Sequence, residues 1–276
     1  MRIMVTGGVG FIGSHLVKKL RDDGHEVMIV DFRHTEPLDI RDSRMLEYAV
    51  ARLSPEAVVH LAAKKRGDVD EMFWTNVVGT RNLINALKLL KVAPTVVFSS
   101  TSAVYGGPNQ WEGAPCQPTS MYGKSKLANE REFLESGLPT KVLRFFNVYG
   151  EGGESVVNVI DNCLRKEKGF TVYNRGVMLR DYLPVQWIVK AMCHAIEDKP
   201  SSMVVNVGSG HGTSVMDLVR LTGQFANLEY CVEERSVRKD TYDSVAHTEK
   251  LKDWMPEFGA VPVQYWADEV MRFWKR

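Results

Sequence analysis

The sequence predicts an α/β protein: one doubly wound parallel sheet followed by a small C-terminal lobe. Three observations predict it. Short apolar runs recur through the first half, at Arg2 to Val5, Val27 to Val30, Ala57 to His60 and Thr95 to Ser99. Segments with apolar residues at helical spacing separate these runs, and a glycine-rich turn joins the first strand to the first helix. Apolar strands without alternation belong to a parallel sheet covered on both faces. Regular strand–helix alternation winds βαβ units into one sheet.

In chain order, Ile12, Leu16, Val17 and Leu20 mark the first helix, and Met45, Leu46, Ala49, Val50 and Leu53 the second. A long helix is expected from Asp70 to Lys91, with Phe73, Val77, Ile84, Leu87 and Leu90 on one side. A helix over Tyr122 to Glu135 and a strand over Lys141 to Phe146 complete the regular part. Beyond Gly150 the pattern loosens. Helices are expected over Val156 to Lys166 and after Ser214, which is placed to cap the latter. A strand is expected over Val204 to Val207, and Val263, Trp266, Ala267, Val270 and Trp274 line one face of a last helix. Residues 1–150, with further contributions from about 177–210, read as the sheet domain, and residues 151–276 mainly as the lobe.

Composition narrows the function classes. The 276 residues carry 35 basic and 34 acidic side chains, a formal charge of +1, which argues against a dedicated nucleic-acid binder. No apolar run approaches the ~18 residues needed to span a bilayer, and MRIMVTGG is too short for a signal peptide. Cys116, Cys163, Cys193 and Cys231 are scattered without a CxxC pair. They read as small hydrophobes in a reducing, cytoplasmic protein. The seven histidines show no metal spacing; no metal is expected, and His60 reads as a packing residue at a strand end.

The turn after the first strand is TGGVGFIGSH, with Gly7, Gly10 and Gly13 in Gly-xx-Gly-xx-Gly spacing. Such glycines permit a tight turn, close backbone approach to a pyrophosphate and close helix–strand packing. The next helix directs its partly positive N-terminus at the phosphates. Asp31 ends the second strand, where an acid pairs with adenosine ribose hydroxyls and repels a 2′-phosphate, favouring NAD over NADP. Arg33, two residues on, keeps NADP open.

Two further clusters fall at predicted strand ends: FSSTSAVYG, Phe98 to Gly106, and Tyr122-Gly-Lys-Ser-Lys126. Tyr and Lys four apart share a helix face. An ammonium beside a phenol favours phenolate, so the expected Tyr122 pKa lies well below its usual value of about 10. Tyr122 is then a competent base for a substrate hydroxyl while hydride leaves the adjacent carbon, with Thr101 orienting the same oxygen.

These motifs resemble the extended short-chain dehydrogenase/reductases, specifically the NAD-dependent sugar-nucleotide epimerase/dehydratase group. The likeness continues through Asp39-Ile-Arg-Asp42, His60-Leu-Ala-Ala63, Asn76-Val-Val-Gly-Thr80, Arg144-Phe-Phe-Asn-Val-Tyr-Gly150, Leu179-Arg-Asp-Tyr182 and Asn206-Val-Gly208. It implies a Rossmann-type sheet with a C-terminal substrate-binding lobe. By that resemblance Phe11 and Ile12 cover the pyrophosphate, Asp31 holds the ribose, and Asp39 and Ile40 flank the adenine. Leu61, Ala62 and Ala63 line the dinucleotide groove, Lys65 reaches a phosphate or ribose, and Asn76 sits beneath the cofactor. Thr101, Tyr122 and Lys126 form the catalytic triad, Lys126 also bonding the nicotinamide ribose. Phe146 packs near the nicotinamide, Asn147 contacts substrate, and Arg180 contacts the diphosphate, a task suited to a planar guanidinium. Plainer readings stay open: Asp39 to Asp42 as a helix cap, Lys64 to Arg66 as a solvated loop. Arg235 and Arg238, before Asp240, stand roughly where the family keeps a phosphate clamp, although the match is poor.

Ser102 and Ala103 follow Thr101 where related dehydratases place acids, and the lobe shows no convincing Cys–His pair for C3/C5 epimerisation. The expected function is therefore an NAD-dependent nucleoside-diphosphate-sugar 4-epimerase acting on a UDP-hexose. An NADP-dependent keto-sugar-nucleotide reductase and a non-catalytic dinucleotide-binding relative are the alternatives. Asp39 follows Asp31 by only eight positions, and Gln186 stands where an acid is expected after Arg-Asp-Tyr. The long helix and the Tyr122 helix resemble the family's dimer bundle, so a homodimer is expected.

Overall fold

Strand β1 (Arg2–Thr6) runs through the glycine turn into α1 (Phe11–Asp22), a strand–turn–helix unit that the first half of the chain repeats. The computed structural model describes residues 1–166, 171–172, 174–222, 231–232, 242–259 and 263–275. Next come β2 (Glu26–Val30), α2 (Ser43–Leu53), β3 (Ala57–His60), the short α3 (Val69–Met72), α4 (Gly79–Lys88) and β4 (Thr95–Thr101). They are followed by α5 (Met121–Glu135), β5 (Thr140–Phe145), β6 (Asn147–Tyr149), α6 (Val156–Lys166), β7 (Thr171–Val172) and β8 (Leu179–Pro184). The chain continues with α7 (Val185–Glu197), β9 (Met203–Val207), β10 (Gly212–Ser214), α8 (Val215–Thr222) and β11 (Cys231–Val232). Helices α9 (Glu249–Trp254), α10 (Pro256–Gly259) and α11 (Val263–Trp274) end it.

The chain divides into two compact units. The first contains Met1–Gly106, Pro115–Arg144 and Ile188–Val205; the second contains Gly107–Ala114, Phe145–Trp187 and Asn206–Arg276.

The large sheet has strand order β2-β1-β3-β4-β5-β9. The β1–β2, β1–β3 and β3–β4 ladders are parallel, with Thr6 opposite both Val30 and His60. From β1 the chain crosses to β2 on one side, then to β3 on the other, so the order reverses at β1. A reversal of this kind opens a crevice at the carboxyl ends of the two strands, where such sheets take their ligands. Gly7–Gly13 and Leu61–Ala63 leave the sheet there.

One core of the first unit joins α2, α4 and the sheet through Leu46, Val50, Val58, Leu83, Leu87, Val96 and Phe98. Full burial of each such side chain contributes ~1.5–3 kcal/mol. Met45, expected on the buried stripe of α2, faces solvent. Asp42 caps that helix, accepting from Met45 N at 3.0 Å.

The single helix expected over 70–91 is instead interrupted. A π-helical turn, Phe73–Val78, separates α3 from α4, and α4 ends at Lys88. The extra residue per turn rotates Phe73 out of the apolar stripe to 48% exposure while Asn76 turns inward and is fully buried. The Asn76 carbonyl is taken by the Thr80 hydroxyl and by Asn129 Nδ2, which stabilises the altered winding.

In the second unit, β8 pairs antiparallel with β10 and parallel with β6. Tyr149, Val157, Ile160, Tyr182, Leu218, Val270, Phe273 and Trp274 form its core. Ser214 caps α8 as expected: its Oγ accepts from Asp217 N at 3.0 Å, and Asp217 Oδ2 accepts back from Ser214 N at 3.3 Å. Among the described residues no helix is long and apolar enough to cross a membrane.

Candidate active site

The glycine turn is shaped by contacts that no side chain could share. Gly7 has φ +72°, and a Cβ on it would lie 2.7 Å from Ala62 N in the loop after β3. At Gly13 a Cβ would lie 2.2 Å from the Gly7 carbonyl oxygen. Gly10 caps α1 in extended conformation with no side-chain bond, and the first turn of α1 contains no acid. No acid of its own first turn therefore offsets the positive end of this three-turn helix, which lies at the switch point of the sheet. These features fit a dinucleotide pyrophosphate. Phe11 and Ile12 are half-buried at the start of α1, with Phe11 edge-on to His15.

Asp31 is buried at the end of β2 and accepts from Val9 N at 3.1 Å and Arg33 N at 3.0 Å. The Arg33 guanidinium completes an ion pair at 3.3 Å. Burial alone would raise the Asp31 pKa, but the Arg33 and Val9 bonds outweigh it and hold the carboxyl below its usual range. Asp39 behaves similarly: bonds from Arg41 lower its pKa against burial, and Arg41 Nη2 approaches to 2.6 Å. Ile40 turns inward, into the core beneath Gly79, where a Cβ would meet its Cδ1 at 2.6 Å.

Leu61, Ala62 and Ala63 are half-buried, and Lys65 is exposed. Leu61 N donates to the Thr6 carbonyl and Ala62 N to Thr6 Oγ1. The Asn76 side chain is fully committed. Its Oδ1 accepts from Lys64 N at 2.7 Å, while Nδ2 donates to the Lys64 carbonyl at 2.9 Å and to Ser125 Oγ at 3.0 Å. Asn76 thus ties the groove-lining loop to α5.

Tyr122 and Lys126 lie one turn apart on α5, which Ser120 caps by accepting from Gly123 N at 3.0 Å. A Cβ on Gly123 would lie 2.6 Å from the Ala103 carbonyl oxygen, so this glycine lets α5 abut the turn after Thr101. Thr101 Oγ1 accepts from Ala103 N at 3.2 Å, a bond that uses a lone pair and leaves the hydroxyl proton for another acceptor. Lys126 is buried; its Nζ donates to the Ser99 carbonyl at 2.6 Å and sits 4.7 Å from the Phe98 ring centre. The Tyr122 ring centre is 5.9 Å from the same nitrogen.

That placement corrects the expected electrostatics. Burial pushes the Tyr122 phenol up to about 12 rather than down. Burial also lowers Lys126 to about 7, only partly offset by the Glu130 carboxylate. With the ammonium turned to a backbone carbonyl, desolvation of the phenolate wins in the chain alone.

One turn beyond Lys126, Glu130 forms a buried two-pronged ion pair with Arg144: Nη2 to Oε2 at 2.7 Å and Nε to Oε1 at 3.0 Å. Ser100 Oγ donates to the same carboxylate, and the guanidinium lies over the Tyr105 ring. The pair welds β4, β5 and α5 beneath the triad residues. Its only sequence signal was Glu130 standing four residues after Lys126.

Phe146, Asn147 and Arg180 belong to the second unit. Phe146 is buried, and Asn147 Nδ2 donates to the Asp181 carbonyl at 3.2 Å. Arg180 Nη1 donates to the carbonyls of Leu179 and Tyr242, both at 2.8 Å, which fixes the direction of its guanidinium. Asp181, quoted in the Leu179-Arg-Asp-Tyr182 motif but given no role there, is fully buried and accepts from Ser209 N, Ser209 Oγ, Gly210 N and Ala246 N. Burial raises its pKa against those four donors. Buried Gln110 is a second unforeseen hub, its carbonyl accepting from Asn206 Nδ2 at 2.8 Å and its Oε1 from Ser244 Oγ at 2.9 Å. Gln186 lies in the first turn of α7. Arg235, Arg238 and Asp240 lie outside the described residues.

Comparison with known proteins identifies the family. The family model described as the NAD dependent epimerase/dehydratase family matches residues 3–208. UDP-glucose 4-epimerase from Corynebacterium glutamicum is 31% identical, with 93% of this chain and 91% of that protein covered. A crystal structure of UDP-glucose 4-epimerase with UDP-glucose from Thermotoga maritima superposes with a TM-score of 0.81 at 30% identity, covering 92% of each chain. MoeE5 in complex with UDP-glucuronic acid and NAD superposes at 0.84 with 31% identity, covering 93% of each chain. The chain belongs to the NAD dependent epimerase/dehydratase family.

Proposed function

We propose that this chain is an NAD-dependent nucleoside-diphosphate-sugar 4-epimerase, with a UDP-hexose as substrate. The observation that carries the reading is the set Thr101, Tyr122 and Lys126 at the carboxyl end of β4, in a chain with no carboxylate at positions 102 and 103. NAD, when bound, supplies the hydride acceptor and donor and a positive charge on its nicotinamide ring. Gly7, Gly10, Phe11, Ile12 and Gly13 hold its pyrophosphate, Asp31 its ribose, and Asp39, Ile40, Leu61 to Ala63, Lys65, Asn76 and Phe146 its remaining edges. Tyr122 Oη takes the proton of the sugar C4 hydroxyl, Thr101 orients that oxygen, and Lys126 stabilises the phenolate. The same oxygen returns the proton after the keto sugar has turned over. Asn147 and Arg180 hold the substrate, Arg180 at the diphosphate.

The test is interconversion of UDP-glucose and UDP-galactose with substoichiometric NAD. Stoichiometric accumulation of NADH, or no turnover of any UDP-hexose, would count against it. Net consumption of NADPH with a keto sugar nucleotide would favour the reductase reading, for which Arg33 beside Asp31 is the supporting observation.

The protein acts in the cytoplasm as a homodimer. Support for the dimer comes from Phe73 and Trp74, which are half exposed on the π-helical turn, and from exposed Val69 on α3 and Met121 on α5. Light scattering at micromolar concentration checks this, a monomeric mass standing against it.

A further inference from the structure

Gln110 is 1% exposed, although its segment Gly107–Ala114 contributes neither strand nor helix to the second unit. Its partners fix the orientation of its amide. Nε2 donates to the Gly107 carbonyl at 2.8 Å, and a carbonyl can only accept. Oε1 is therefore the atom that faces Ser244 Oγ at 2.9 Å, and the Ser244 hydroxyl donates to it. The main-chain carbonyl of Gln110 takes Asn206 Nδ2 at 2.8 Å and His247 N at 3.3 Å. Gln110 thus holds the 244–247 stretch by its side chain at one end and its backbone at the other.

Ser244 lies against Arg180 in a parallel bridge. Its N–H donates to the Leu179 carbonyl at 3.0 Å, and its own carbonyl accepts from Asp181 N at 2.9 Å. The two carbonyls that hold Arg180 Nη1 come from the two sides of this bridge: Leu179 on β8, and Tyr242 two residues before Ser244. Both Nη1 protons are spent there. The edge formed by Nε and Nη2 meets no acceptor among the described residues. It is the same edge with which Arg144 grips the Glu130 carboxylate, and it suits two oxygens of a phosphate equally well.

We propose that Gln110 is a positioning residue for the substrate diphosphate. Through the Ser244 hydroxyl it fixes the Tyr242 carbonyl, and so the direction in which Arg180 presents its open Nε and Nη2 edge. The inference rests on the reading that Arg180 holds the diphosphate. A guanidinium anchored at two carbonyls is ordered before the ligand arrives, so binding is spared the entropy of ordering it. Loss of the Gln110–Ser244 bond releases one of those two anchors.

Calorimetric titration of the full chain with UDP, in excess NAD, tests this without any turnover. Arg180→Ala should weaken UDP by about tenfold or more, the loss of charge-assisted bonds. Gln110→Leu and Ser244→Ala should each weaken it by about three- to tenfold. Ser244→Thr, which keeps the hydroxyl, should stay within about twofold of the wild type. Ser244→Ala carries the test should Gln110→Leu, which also strands the Gly107 carbonyl, fold poorly. In the Arg180→Ala background neither substitution should weaken UDP further by more than about twofold. A general loosening of the fold would instead lower affinity in both backgrounds. Equal weakening in the two backgrounds, equal losses in Ser244→Thr and Ser244→Ala, or no loss in either single variant overturns the proposal and leaves Arg180 at the diphosphate. If Arg180→Ala binds UDP as tightly as the wild type, or the wild type does not bind UDP, the reading of Arg180 fails and this inference with it.

Discussion

Thr6 Oγ1 stands 2.6 Å from His60 Nδ1 across the β1–β3 ladder, and the bonds around this pair fix which nitrogen of His60 carries the proton. The Thr80 hydroxyl donates to the Asn76 carbonyl, so at His60 Nε2, 2.9 Å away, it can only accept. His60 is then protonated at Nε2 and accepts at Nδ1 from Thr6, whose oxygen in turn accepts from Ala62 N. A neutral, directional chain of bonds thus runs from the groove-lining loop through the sheet to α4, with the His60 ring stacked on Phe98.

This state has a pH signature. Burial first, and the nearby Lys126 charge second, lower the His60 pKa from 6.5 to about 3. Between those values the unfolded chain binds a proton that the folded chain refuses, so stability falls as pH is lowered through the window. The slope from this group reaches about 1.4 kcal/mol per pH unit. Urea unfolding at about pH 7 and about pH 5.5 should show a loss on the order of 1 kcal/mol that His60→Gln does not share. Equal slopes in the two proteins would mean that His60 is not held neutral.

Tyr122 should be a phenol, not a phenolate, in the chain without cofactor. An ultraviolet titration of wild type minus Tyr122→Phe should place its midpoint near about 12. Addition of NAD should move that midpoint downward, because the nicotinamide charge favours the anion. A midpoint near neutrality in the free chain would contradict the buried environment. In epimerisation assays Tyr122→Phe should lower turnover by about 10²–10⁴-fold, the usual contribution of a positioned base.

Gly13→Ala and Gly123→Ala test two close approaches with different consequences. Both added methyls would meet a backbone carbonyl, at 2.2 Å from Gly7 and at 2.6 Å from Ala103, so neither can be relieved by a side-chain rotation. Each should cost about 1–3 kcal/mol in denaturant unfolding. Gly13→Ala should abolish dinucleotide binding, whereas Gly123→Ala should retain it and lose turnover. Loss of binding in both would place α5 in the cofactor site more deeply than its contacts indicate.

The Glu130–Arg144 pair is fully desolvated, so removing one partner strands the other. Glu130→Gln should destabilise the fold by about 3–5 kcal/mol, and Glu130→Leu combined with Arg144→Met should recover most of that. Thermal unfolding of the single and double variants reads this directly. A double variant no better than the single one would show that the pair acts through its bonds to Ser100 and Tyr105 rather than through mutual neutralisation.

Much of this architecture was legible in the linear chain. The strand Ala57–His60, the helix over Val156–Lys166 and the capping role of Ser214 come from apolar run length, periodicity and cap chemistry, which act over a few residues. Features that depend on a distant partner were not legible. The π-helical turn arises because Asn129, far along the chain on α5, competes for the Asn76 carbonyl. Glu130 meets Arg144 only because β5 is laid beside β4. The role of Asp181 was not legible from its motif, since its four donors come from two separate loops.

The sequence alone determined the doubly wound sheet, the glycine turn with Asp31 behind it, and the helical register of Tyr122 and Lys126. These are fixed by local sterics and by repeating hydrophobic periods, which any chain with this pattern must satisfy. The tertiary structure decided the charge states. It desolvated the half-buried Tyr122 phenol, turned the Lys126 ammonium to the Ser99 carbonyl and set Arg33 against Asp31. Solvation and Coulomb energy depend on what lies within a few ångströms in space, and spacing along a chain does not encode that distance.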